Sequence, residues 1–154
     1  MPDSHEGLLS GIVGEPARFQ TQTILRQSNV VRTMRSRILI ADDHEVSRVG
    51  IRDILRTDSR WEVCEDAIDG TDAVEKVRRF KPDVVIMDVV MHGVSSAEAV
   101  RQIRRISPLT KIIMVSLYDF PQLAMSLGAD TFLMKAQCGM YLNHRIADLL
   151  GRGS

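Results

Sequence analysis

Three aspartates, a serine and a lysine stand at the ends of apolar runs in this chain. Asp42 and Asp43 follow Arg37–Ala41, Asp88 follows Val84–Met87, Ser116 follows Ile112–Val115, and Lys135 follows Thr131–Met134. Two ionised carboxylates about 4 Å apart repel by roughly 4 kcal/mol at an effective dielectric of 20. Asp42 beside Asp43 is therefore a poor packing choice, and Asp88 brought next to them worsens it unless a cation is present. Magnesium suits such a cluster: it is a hard ion that takes one or two carboxylates, keeps several waters and commonly touches phosphate oxygens. A blander role, capping a helix that starts near Glu45, would account for Asp42 or Asp43 alone but not for the other polar ends. Lys135 offers a flexible point charge to phosphate, and the Ser116 hydroxyl can donate to a phosphoryl oxygen. A carboxylate can itself be the nucleophile and form an aspartyl phosphate. Asp88, between the acidic pair and the Ser/Lys pair, is the best placed for that. Mg2+ and Lys135 would then neutralise charge on the transferring group.

These groups meet only if the runs are strands of one parallel sheet, whose carboxyl ends share an edge where ligand crevices form. Arg37–Ala41 is rich in Ile and Leu, as suits a strand buried on both faces. Glu45–Arg56 has Ser47, Gly50, Ile51, Ile54 and Leu55 at helical spacing. Trp61–Ala67 alternates apolar and acidic residues, as an edge strand does. Thr71–Phe80 reads as a helix stopped by Pro82, and Val84–Asp88 as the central strand. Ser95–Ile106 opens on Ser95-Ser96-Ala97-Glu98, a capping-box pattern. Lys111–Ser116 is a strand, Pro121–Leu127 a short helix closed by Gly128, Thr131–Met134 a strand, and Gly139–Leu150 a helix. The sum is an α/β chain with a doubly wound (βα)5 parallel sheet and right-handed crossovers.

The 154 residues suggest one domain, with residues 1–34 as a flexible tail that lacks a sustained period. Met34 could even be the true start, and Gln20–Met34 is at best a weak helix. A formal net charge of zero argues against general affinity for nucleic acid or anionic membrane. Arg101, Arg104, Arg105 and Lys111 read as a solvated face. Cys64 and Cys138 have no metal or redox spacing, and Cys64 reads as a small buried hydrophobe. No apolar run is long enough to span a bilayer and no secretory signal opens the chain, so a cytoplasmic protein is expected.

Residues 37–150 resemble the receiver domain of bacterial two-component response regulators. The likeness rests on Ile40-Ala41-Asp42-Asp43-His44, on Pro82 through Met91, on Ser116, and on Gly128-Ala129-Asp130 leading to Phe132 and Lys135. The stretch through Gly50-Ile51-Arg52 is similar to the helix-turn-helix (NarL/LuxR-type) subgroup. The resemblance implies a flavodoxin-like receiver over residues 35–150 with strand order 2-1-3-4-5. It implies that Asp88 accepts a phosphoryl group from a sensor histidine kinase or histidine phosphotransfer protein. Asp43, Asp88 and the Val90 backbone carbonyl would bind Mg2+, with Asp42 acting through water. Lys135 would pair with Asp88 and then with the phosphoryl oxygens, while Ser116 and Phe132 act as the switch. The altered surface would be roughly Pro121–Leu127, Thr131–Met134 and Gly139–Leu150, and any homodimer would form through the last two strands and helices. The downstream protein is not named by the sequence.

The chain also departs from the family pattern. His92 stands where proline usually follows the Met, and reads as a tolerated exposed loop residue. Ala136 follows Lys135, and the stretch from Ser116 to Lys135 is a few residues short, at the expense of the fourth helix. Only Gly151–Ser154 follow Leu150, so no output domain and no direct DNA binding are expected. The expectation is a phosphorylation switch and not an enzyme beyond self-catalysed transfer to Asp88. Rival readings are a phosphorylation-independent docking or dimerisation module and a truncated piece of a DNA-binding regulator. A haloacid-dehalogenase-type phosphatase would need an acid/base Asp where Val90 stands.

Overall fold

Strands that are apolar at every position can sit only inside a sheet covered on both faces. The computed structural model, which describes residues 34–153, has five strands, β1 (Ser36–Ala41), β2 (Trp61–Ala67), β3 (Val84–Asp88), β4 (Lys111–Ser116) and β5 (Thr131–Met134), of which β2 is the alternating, half-exposed exception. They form one parallel sheet of order β2-β1-β3-β4-β5, with β3 central and buried throughout. The expected tail and its weak helix lie outside the described residues, apart from Met34. Among the described residues no helix is long and apolar enough to cross a membrane.

The helices are α1 (Glu45–Arg56), α2 (Gly70–Phe80), α3 (Ser96–Ile106), α4 (Pro121–Ser126) and α5 (Cys138–Leu149), the last preceded by a 3-10 turn over Lys135–Gln137. Period-2 alternation along the strands sorts the core into two layers. Leu39, Ala41, Val85, Met87, Ile112 and Met114 face α2, α3 and α4. Ile38, Ile40, Ile86, Ile113 and Val115 face Ile51 and Leu55 of α1 and Leu142 and Ile146 of α5.

Four local readings change. Cys64 is not a core residue: it is the extra residue of a bulge, where pairing jumps from Ile38↔Val63 to Leu39↔Glu65. It is only half-buried, and its thiol faces the Ile38 carbonyl at 3.4 Å. The capping box at Ser95 is half formed. Ser95 accepts from Glu98 N at 3.3 Å, while the Glu98 carboxylate accepts from Gln102 and Arg101 instead. Arg104 is not part of a solvated face, because it donates to Thr110 O at 2.8 Å, Gly128 O at 2.7 Å and Asp130 Oδ2 at 2.8 Å. Gly50, expected on the inner face of α1, is exposed.

The fourth helix is short, as its sequence implied. Pro121 opens it without a side-chain cap, and Gly128, at φ 101°, closes it after six residues. Gly128 N bonds Met125 O at 3.1 Å and Ala129 N bonds Ala124 O at 3.1 Å, the paired closure that needs a left-handed residue. Gly70 serves a different purpose. A Cβ there would lie 2.6 Å from the Val94 carbonyl oxygen, so α2 approaches the β3–α3 loop as closely as only glycine allows. Replacing Gly70 by Ala should therefore push that loop away and destabilise the domain by about 1–3 kcal/mol. Urea denaturation of Gly70→Ala against wild type checks this; equal midpoints would show that the contact carries no constraint.

Candidate functional site

The strand order places β1 beside β3, with Ala41 level with Met87. The residues that follow, Asp42 and Asp88, therefore lie side by side at the carboxyl edge, where the order of the sheet reverses. Asp42 is fully buried and Asp88 nearly so. Lys135, the first residue of the turn after β5, reaches between them: its Nζ donates to Asp42 Oδ2 at 2.6 Å and to Asp88 Oδ2 at 2.6 Å. Asp42 also accepts from Ser47 Oγ at 2.6 Å and from His44 N at 2.9 Å, and Asp88 Oδ1 accepts from Val90 N at 2.9 Å. Ser116, buried at the end of β4, accepts Tyr118 N at 3.1 Å, which leaves its proton free to donate. His44, Asp88, Val90, Ser116 and Lys135 line one small cavity of about 110 Å³. Phe132, half-buried, packs with Met91 and Leu127 against the core layer under α2–α4.

Helix capping does not account for the acidic pair. Helix α1 starts at His44 with no side-chain cap, and Asp42 spends its oxygens on Lys135, Ser47 and the His44 amide. Burial alone would push the Asp42 carboxyl up, but those three donors outweigh it and hold it below the usual 3.8. Asp88 goes the other way: burial raises it, the Asp42 charge adds to that, and Lys135 and Val90 N offset only part. Burial opposes a charged Lys135, yet its two carboxylates keep it above its ordinary value. Burial pushes the Cys138 thiol to about 11, so it is no nucleophile near neutral pH.

Asp43 lies at the rim, 11% exposed, and carries an imidazole on each oxygen. Its Oδ2 accepts from His92 N at 3.2 Å and pairs with the His92 ring. Its Oδ1 lies 2.8 Å from His44 Nδ1 but is buried without a hydrogen-bond partner. His92 is thus exposed as expected, but it is more than a tolerated loop residue, because it touches the acidic site. A buried carboxylate oxygen that accepts no hydrogen bond is the kind of atom a cation would satisfy. Asp43 and Asp88 fit a divalent cation, with oxygen donors of the kind hard ions take.

Two supporting residues had no clear signal in the sequence. Ser96, buried at the start of α3, donates to the Asp88 carbonyl at 2.9 Å and the Val89 carbonyl at 2.8 Å, tying down the backbone that follows β3. It hid inside the cap pattern next to Ser95. Arg48 donates to the Asp42 carbonyl at 2.8 Å, and only the β1–α1 fold-back reveals that contact.

The raised Asp88 carboxyl has a consequence for stability. The folded chain holds this proton more tightly than the unfolded chain, whose carboxyl titrates near 3.8. The contribution of Asp88 is therefore present below that value and lost as pH rises through its folded pKa. Asparagine never ionises and escapes the loss. Without divalent cations, Asp88→Asn should raise the melting midpoint at pH 7 by a few degrees, and the gain should shrink as pH falls towards 4. A gain that does not change with pH would rule out charge as its cause.

Residues 38–146 match the response regulator receiver domain family. The chain is 33% identical to the response regulator protein VraR of Staphylococcus saprophyticus over 102 residues, which cover 64% of this chain and 49% of that protein. It is 36% identical to the transcriptional regulatory protein DegU of Brevibacillus brevis over 101 residues, 64% of this chain and 43% of that one. It thus spans about half the length, or less, of these curated relatives. Among solved structures it is similar to the signal receiver domain of NarL from Mycobacterium tuberculosis, with TM-score 0.70 and 28% identity over 77% of this chain and 98% of that one. The response regulator domain of Thermotoga maritima CheB aligns with TM-score 0.69 and 27% identity over 79% of this chain and 100% of that one. The NarL likeness agrees with the subgroup suggested by the opening motif. With well over half of its length matched and the strand order shared, the chain belongs to the response regulator receiver domain family.

Proposed function

We propose that this chain is the phosphoacceptor receiver of a two-component phosphorelay, phosphorylated on Asp88. The observation that supports this most strongly is the Lys135 ammonium held 2.6 Å from both Asp42 and Asp88. It fixes a positive charge where a phosphoryl group on Asp88 would need one. In the proposed reaction an Asp88 carboxylate oxygen attacks the phosphorus of a donor phosphohistidine on a sensor kinase or phosphotransfer protein. The P–N bond breaks, its electron pair stays on the donor imidazole, and an acyl phosphate forms on Asp88. The Asp43 and Asp88 carboxylates and the Val90 carbonyl would hold Mg2+, with Asp42 acting through water. When bound, that ion supplies charge neutralisation at the phosphoryl oxygens.

This chain's own groups do the rest. Lys135 keeps Asp42 as its anchor and shifts its second contact from Asp88 to a phosphoryl oxygen. The Ser116 hydroxyl, in the same cavity, turns its free proton to another phosphoryl oxygen. Phe132 follows by changing rotamer, and α4, β5 and α5 form the surface that a downstream protein, or a second copy, would read. The transfer is self-catalysed and stays on the receiver, so we read the chain as a cytoplasmic signalling switch and not as an enzyme with a separate substrate.

Mg2+ with beryllofluoride, an acyl-phosphate mimic, tests the assignment. In wild type it should shift the backbone NMR signals of Ser116, Phe132 and α4, and Asp88→Asn should show none of these shifts. An equal response in Asp88→Asn would remove Asp88 from the mechanism. No response in either protein would favour the phosphorylation-independent docking module.

A further inference from the structure

The edge of the sheet opposite the acidic site collects cations. β3 runs from Val84 to Asp88, so its amino end lies about 16 Å from Asp88. Several segments meet there. Asp83 N bonds Arg37 O at 2.8 Å and Lys111 N bonds Asp83 O at 2.9 Å. The Arg37 guanidinium donates to Phe80 O, and Thr110 Oγ1 donates to Pro82 O at 2.9 Å. The last turns of α2 and α3, helices that pack against each other, bring Arg78, Arg79 and Arg105 to the same edge. Together with Arg37, Lys81 and Lys111 these are six cations, and among the described residues none of the six is in an ion pair. The carboxylates beside them are engaged elsewhere. Asp83 accepts from Arg37 N at 2.7 Å, and Asp130 accepts from Arg104 at 2.8 Å and from Ile112 N at 2.7 Å.

Cations in the last turn of a helix favour its dipole, which accounts for Arg78, Arg79 and Arg105 taken singly. It does not account for Lys81, which sits at φ 47°, a conformation that costs an L side chain what glycine escapes. Gly93, Gly128 and Gly151 fill the other left-handed positions among the described residues, so Lys81 alone sets a charge where the backbone favours glycine. Nor does the dipole account for Leu109, 89% exposed in the α3–β4 turn and close in sequence to the exposed Ile106. Four of the six cations are arginines, whose planar forks pair bidentately with carboxylates. A nucleic-acid backbone would use the charges but leave Leu109 and Ile106 uncovered, and a formal net charge of zero supplies no wider field to hold one. We propose that this amino edge docks a short acidic segment of a partner protein, its carboxylates on the arginines and lysines and an apolar side chain on Leu109. Arginine clusters recognise acidic motifs in this way. The surface is separate from the Asp88 cavity, whose lining includes none of these residues.

The probe is a short fluorescent peptide of glutamates around a central Leu-Phe pair, titrated into the whole chain by polarisation and followed by backbone NMR. Binding should shift the amides of Lys81, Asp83, Leu109 and Lys111 and leave those of Asp88 and Ser116 in place. It should weaken several-fold as salt rises from about 0.05 M to about 0.2 M. Lys81→Gly suits the left-handed backbone and keeps the domain folded, yet it should lose about threefold in affinity. Arg78→Glu combined with Arg79→Glu should lose at least about tenfold, and Leu109→Ser about threefold. The proposal falls if the peptide shifts no amide at this edge, or if Lys81→Gly and the double charge reversal bind it as tightly as wild type. It falls equally if a glutamate-only peptide or a DNA duplex binds as tightly as the Leu-Phe peptide, since the edge would then be a general polyanion site.

Discussion

One ammonium between two buried carboxylates sets the terms for the rest of this molecule. Lys135 Nζ lies 2.6 Å from Asp42 and 2.6 Å from Asp88, in a place where each charge costs several kcal/mol to bury. Such a group is tolerated only when nearly every lone pair is met. Ser47 and the His44 amide complete Asp42, and the Val90 amide takes the second oxygen of Asp88. Two carboxylates and one ammonium still leave a net negative charge, and Asp88, raised chiefly by burial, is raised further by the Asp42 charge. A site in that state is poised for added positive charge.

Much of the surrounding structure serves to hold that triad in place. Parallel pairing of β1, β3 and β4 brings the strand ends level. Ser96 ties the carbonyls of Asp88 and Val89 to α3, and Gly70 lets α2 close against the same loop. Towards the β4–β5 edge of the sheet the restraint is weaker. The six-residue α4 and the loop before it leave Leu117, Tyr118, Leu123 and Met125 exposed. Arg104 anchors only the end of that region, through Gly128 O and Asp130. The carboxyl-edge site is locked by hydrogen bonds, while the α4 region is short and presents apolar side chains.

The triad was legible in the sequence because strand ends announce themselves: an apolar run stops at a polar residue, and the parallel architecture does the rest. The same logic placed β3 at the centre and β2 at the edge. What could not be read depends on single-residue geometry. A bulge adds one residue to β2 and leaves the alternation looking regular, so Cys64 was misjudged. Arg104 has the spacing of a solvated face, and only the path of the α3–β4 turn shows which carbonyls it meets. The contact of His92 with Asp43 joins two loops distant in sequence, and no period or motif encodes it. Ser96 was hidden by Ser95, which supplies the cap.

The central claim is that Asp88 is the carboxylate that carries phosphate. An aspartyl phosphate is an activated acyl group, which borohydride reduces to homoserine, whereas a free carboxylate is inert to it. Treatment with acetyl phosphate and a divalent cation, then borohydride and peptide mass spectrometry, reads the modified residue directly. The account predicts homoserine at position 88 alone, dependent on the cation. Homoserine at Asp42 or Asp43, or none anywhere while the protein remains folded, would contradict it.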